Sequence, residues 1–133
     1  MKKTKRINIS SGARWEPIVG YSRAVRIGNI IEVAGTTASE GDEVIGINDS
    51  YGQTVFILKK IEKALIEAGA SMKDVIRTRI FTTDISRWES IAKAHGEFFS
   101  EIRPDTTMVE VKALIDPALL VEIEASAIVQ ETD

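Results

Sequence analysis

Three stretches of this chain carry residue types whose spacing could do chemistry. The first is Val121-Glu122-Ile123-Glu124-Ala125. On a strand the period of two puts Glu122 and Glu124 on one face and Val121, Ile123 and Ala125 on the other. Two carboxylates that close repel when buried together, and the one that keeps its proton longer suits general acid or base work. The alternative is a solvent-facing pair that matches the strand arginines Arg77 and Arg79. The second stretch runs from Arg103 to Val111, where Thr106 and Thr107 stand at the start of a β-rich run. Hydroxyls and backbone N–H groups can converge there on an anion, or the threonines simply favour a strand. The third is Trp15–Arg23, a loop-like run mixing aromatic and charged residues. Such loops line sites, or their aromatics anchor them in the core.

Much other chemistry is excluded. His95 is the sole histidine, so a two-histidine metal site or histidine pair is not available. It falls on the apolar face of an expected helix, where a histidine with one hydrogen bond is the ordinary arrangement. There is no cysteine, which removes disulfides, thiolate zinc sites and a cysteine nucleophile, and fits a reducing cytoplasm. No glycine-rich phosphate loop occurs. No metal or cofactor is implied. The net charge of −3 argues against a nucleic-acid face, although Met1–Arg6 is a local basic run that reads as a solvated tail. No apolar run is long enough to span a membrane, and no signal peptide is visible.

These residues need elements to position them. A length of 133 residues suits one domain over 1–133. Val25–Ile27 and Ile30–Ala34 flank Gly28-Asn29 and predict a hairpin. Residues Gly41, Asp42 and Gly46 predict a loop. Ser50 to Gln53 has capping-box spacing and predicts a helix with Val55, Leu58, Ile61, Leu65 and Ala68 on its apolar face, stopped by Gly69. Asp74–Thr83 predicts a strand. Ser86 to Glu89 predicts a second capped helix, with Trp88, Ile91, Ala92, His95 and Phe99 facing the core. Thr106–Leu114 and Leu120–Val129 predict the last strands, and Arg6–Ile9 a short first one. The simplest packing is an α/β (α+β) single mixed sheet with two helices on one face. The bare face, carrying Val33, Val109, Val111, Ile123 and Ala125, is expected to be apolar enough to need a partner.

Taken in order, Gly20-Tyr21, Val33-Ala34-Gly35, Glu67-Ala68-Gly69-Ala70, Asp74–Asp84, Phe98-Phe99, Pro104–Val111, Leu114 and Val121–Ala125 resemble the reactive intermediate (enamine/imine) deaminase family, the RidA-like or L-PSP endoribonuclease-type proteins. The resemblance implies a chorismate-mutase-like fold and a homotrimer with an inner β-barrel and ligand clefts between subunits. It also implies hydrolysis of small imines or enamines to ammonia and a 2-oxo acid. Carried over by position, Glu122 activates water, and Tyr21, Gly35, Trp88, Thr106, Thr107 and Met108 bind substrate. Thr106 stands where the deaminase branch has an arginine that clamps the substrate carboxylate, so the chain resembles an arginine-lacking subgroup. Arg14, Arg23, Arg79 and Arg103 are the candidates to replace it. Three functions follow: an imine or enamine hydrolase, a non-catalytic metabolite-binding trimer, and an endoribonuclease. The last fits poorly with the acidic pI and single histidine.

Overall fold

The sheet grows from the Gly28-Asn29 turn, where Gly28 takes φ 60°. The computed structural model describes residues 5–130, so most of the basic run Met1–Arg6 lies outside the described residues. β2 (Ala24–Ile27) and β3 (Ile30–Thr37) pair as the expected hairpin, and β1 (Arg6–Ile9) adds antiparallel to β2. A small separate hairpin follows, β4 (Ser39–Glu40) and β5 (Glu43–Val44), where only a loop was expected. Then come helix α2 (Ser50–Glu67), β6 (Val75–Thr82), α3 (Trp88–Phe99), β7 (Asp105–Glu110) and β8 (Val121–Ile128).

The main sheet runs β1-β2-β3-β8-β6-β7. Only β6 and β7 pair in parallel, because α3 crosses between them, while β8 is antiparallel to both β3 and β6. The expected single mixed sheet with two long helices is therefore present.

Several details differ from expectation. Trp15–Val19 is a short helix, α1, ended by Gly20 in the left-handed region at φ 88°. The cap of α2 is Asp49, whose carboxylate accepts from the Gly52 N–H at 2.9 Å. An aspartate one residue earlier displaces the expected Ser50 box, and Ser50 hydrogen-bonds Ser90 on α3 instead. Gln53 turns inward, fully buried. Its amide donates to the Gly46 and Ala118 carbonyls at 3.1 and 2.9 Å and accepts from the Leu120 N–H at 2.8 Å. The Ser86–Glu89 box is likewise replaced: Asp84 caps a 3₁₀ turn over Ile85–Arg87 that leads into α3. The apolar face of α2 centres on Ile57, Leu58, Ile61, Ala64 and Leu65, one position off Val55.

The two sheet faces also sort differently. Val33, Ile123 and Ala125 are buried against the helices as core, not on the bare face. By alternation the bare face carries Glu122, Glu124, Arg79, Phe81, Val109 and the Ile27–Ile30–Ile128 row, whose isoleucines are exposed. It is thus mixed rather than apolar throughout. Arg79 reaches Glu124 at 3.7 Å and Arg77 reaches Asp105 at 3.7 Å.

Candidate functional site

The site is built on an irregularity in β3. Val33 faces Ala125 and Thr36 faces Ile123, so three steps of β3 match two of β8. The extra residue makes a bulge at Ala34-Gly35. It puts both residues on the bare face and returns Thr36 to the core, where it is fully buried.

Gly35 fits there for a steric reason. A Cβ built on it would stand 2.7 Å from Glu122 Oε2. Only a residue without a side chain lets that carboxylate lie over the strand. Half-buried, Glu122 has its pKa raised, first by desolvation and then by the like charge of Glu124, with Arg23 pulling the other way. This is the carboxylate pair expected from period two, with Glu122 as the proton-holding member.

Arg23 fills the bulge. It is only 8% exposed. Its Nη1 donates to Gly35 O at 2.7 Å and Thr36 Oγ1 at 2.8 Å, and its Nη2 to the Tyr21 hydroxyl at 3.3 Å. The guanidinium lies 5.5 Å from the Tyr21 ring. Tyr21, Arg23, Gly35 and Glu122 are thereby brought together. A buried arginine was visible in the sequence only as one of four cations. The carbonyls freed by the bulge are what single it out.

Glu16 holds the neighbouring loop. Burial would raise its pKa, but hydrogen bonds from Ser11 and Ser10, with help from Arg23, lower it overall. Below α1 a cleft of about 720 Å³ opens against the β4–β5 hairpin and α2, with Tyr21, Arg23 and Lys60 among its lining. Lys60 reaches from α2 to the end of β3, where its Nζ donates to Thr37 O and Ser39 O, each at 3.0 Å. Burial and the charge of Arg23 lower its pKa.

The strand β7 residues divide between faces. Thr106 pairs with Thr78 and Met108 with Ile80, on the helix side, while Thr107 pairs with Arg79 on the side of Glu122. Thr106 Oγ1 hydrogen-bonds Thr78 Oγ1 at 2.8 Å, and Thr78 Oγ1 bonds His95 Nε2 at 2.8 Å. The lone histidine is thus the ordinary buried kind, its pKa lowered by desolvation and its ring 4.7 Å from Phe99. Within one chain, Thr106 and Met108 do not join Glu122. Trp88 is 52% exposed at the start of α3, contrary to its expected place as a core-facing residue. Arg14 and Arg103 are surface groups, Arg14 paired with Asp42 at 3.0 Å and Arg103 bonded to Ser100 O. Among the described residues no group of three or more acidic, histidine or cysteine side chains is placed to hold a metal.

A half-buried carboxylate thus lies over a glycine, beside a buried arginine, on a mixed sheet. The family model described as Endoribonuclease L-PSP matches residues 11–129, and the chain belongs to that family, the RidA-like proteins. The uncharacterized protein SCO2049 of Streptomyces coelicolor is 38% identical over 119 residues, covering 90% of this chain and 89% of that protein. The 3-aminoacrylate deaminase RutC of Acinetobacter baylyi is 34% identical over 112 residues, covering 84% and 88%. The crystal structure of Rv2704 from Mycobacterium tuberculosis, a member of the YjgF/YER057c/UK114 family, superposes with a TM-score of 0.87. It shares 54% identity and covers 94% of this chain and 100% of that one.

Proposed function

We propose that this protein hydrolyses a small imine or enamine, releasing ammonia and a carbonyl product, as a homotrimer with its clefts between subunits. The observation that carries the reading is the Glu122 carboxylate, packed on Gly35 and held with a raised pKa. A base of that kind takes a proton from water as the oxygen attacks the imine carbon. The same carboxyl then returns the proton to the departing nitrogen, so that imine plus water gives ketone plus ammonia. Likeness to a 3-aminoacrylate deaminase supports the reaction class. In a trimer, the edge strand β7 of a neighbour would bring Thr106, Thr107 and Met108 to the cleft, with Tyr21 and Gly35 on the opposite wall.

The test is purified protein added to 2-aminoacrylate generated in situ by a serine dehydratase, with ammonia and pyruvate followed. Faster release is expected, with Glu122→Gln losing about two to four orders of magnitude of the acceleration. No acceleration over buffer across several amino-acid-derived imines overturns it.

A second reading has its own observation. The Thr106 hydroxyl is engaged by Thr78 and carries no charge, so the carboxylate clamp of the deaminase branch has no counterpart at that position. This favours a metabolite-binding trimer without turnover, recognised by ligand-induced thermal stabilisation with no product formed.

A further inference from the structure

The cleft between α1, the β4–β5 hairpin and α2 is a cavity within one chain, and Glu122 is not among its lining residues. Its charges are layered. On the floor lie Arg23, nine-tenths buried, and Lys60, partly buried. No carboxylate among the described residues comes within ion-pair distance of either. On the rim lie the carboxylates Glu40, Glu43, Glu67 and Asp116 and one exposed cation, Lys63, with the Arg14–Asp42 pair closing one side.

Hydrogen-bond accounting shows what the floor has left to offer. A guanidinium carries five N–H groups and an ammonium three. Among the described residues Arg23 spends both Nη1 hydrogens on Gly35 O and Thr36 Oγ1 and one Nη2 hydrogen on Tyr21, while its Nε makes no bond. Lys60 spends two on Thr37 O and Ser39 O. One Nε hydrogen, one Nη2 hydrogen and one Nζ hydrogen therefore remain, all on cations. The two cations repel each other across the shared pocket, an effect only partly offset by Glu16 and Glu122 near Arg23 and by Glu40 near Lys60, and an anion between them relieves the repulsion. A simple anion must first pass a rim rich in carboxylates. A ligand with a cationic group at its other end meets both layers with the matching charge.

We propose that this cleft is a binding site for a small zwitterion of the amino-acid type, its carboxylate on Arg23 and Lys60 and its ammonium toward Glu40 and Glu43. The proposal stands apart from the hydrolase reading, since neither Glu122 nor any turnover enters it. The cleft volume of about 720 Å³ leaves room for a side chain beyond the two charged ends.

The experiment is calorimetry and thermal stabilisation with the common amino acids at millimolar concentration. For serine, the one-ended analogues ethanolamine and 3-hydroxypropanoate are compared with it. One or more amino acids should bind, at least about tenfold tighter than the matching amine or acid. Lys60→Met should weaken that binding about tenfold. Because Lys60 also ties down two carbonyls, the exposed rim double variant Glu40→Gln/Glu43→Gln gives a test that does not touch the fold. It should reduce amino-acid affinity to that of the deaminated acid. Binding by no amino acid overturns the proposal. So does an analogue lacking the ammonium that binds as tightly as the amino acid, or affinity unchanged in the rim variant. Turnover in the imine assay has no bearing on any of these outcomes.

Discussion

In the proposed hydrolase, Glu122 sets stability against activity at a single side chain. Its folded pKa lies above the ordinary carboxylate value, so the folded state holds the proton more tightly than the unfolded chain does. Below the ordinary value of 4.5 both states are protonated and nothing is lost. As pH rises through the window between the ordinary and the raised value, the unfolded state releases its proton first and stability falls. Above both values a fixed penalty remains. Glu122→Gln should therefore melt higher than the parent at pH 7 and no higher at pH 4, while losing turnover. Half the group meets solvent, which keeps the gain under about 1 kcal/mol. Melting curves at the two pH values check it; a variant less stable at neutral pH would mean that the carboxylate is held by contacts worth more than its desolvation. The Glu122–Glu124 spacing was readable from the sequence because a period of two needs no tertiary information. The role of Gly35 was not, since it depends on which carboxylate crosses over it.

Among the elements, the long helix α2 does more than cover the sheet. Gln53 reaches from its first turns to three backbone groups in two separate loops, so the helix start, the Gly46 turn and the segment before β8 form one unit. Gln53→Leu keeps the volume but leaves Ala118 O and Leu120 N without their partner, while Gly46 O keeps only the Asp49 N–H at 3.0 Å. The cost should be about 3 kcal/mol or more, read as a lower urea midpoint with an unchanged slope. In the sequence Gln53 looked like half of a capping box. Local spacing cannot tell a glutamine that folds back on its own helix from one that points into the core, and Asp49 decided the matter by capping first. Trp88 departs from its expected core-facing place for a related reason. Helical periodicity put it with Ile91 and His95, but a 3₁₀ turn precedes it, and as the first residue of α3 it stays 52% exposed.

For the whole molecule, the layer arrangement, strand order of types and single domain-sized core were legible from alternation, helix period and turn residues. What was misassigned was the facing of β3 and β8: Val33, Ile123 and Ala125 belong to the helix side, because alternation sorts residues into two faces without saying which face the helices cover. The bare face keeps exposed Ile27, Ile30, Ile128 and Val109 beside its charged pairs. A mixed face of this kind is what an interface between copies would bury. Sedimentation at micromolar concentration should give three times the chain mass, and Val109→Glu should shift it toward one. A parent protein that sediments as a single chain would contradict the trimer and with it the intersubunit cleft.

The extra residue at Ala34-Gly35 has one more consequence, for how this gene tolerates change. Removing a single amino acid there would restore a regular pleat in which Val33 still faces Ala125 and Thr36 still faces Ile123, so the rest of β3 would keep its facing. The Arg23 guanidinium would lose the carbonyl it holds most closely. In a scan of one-residue deletions along β3, this position should be the best tolerated for folding, because a deletion anywhere else in the strand re-addresses every side chain beyond it.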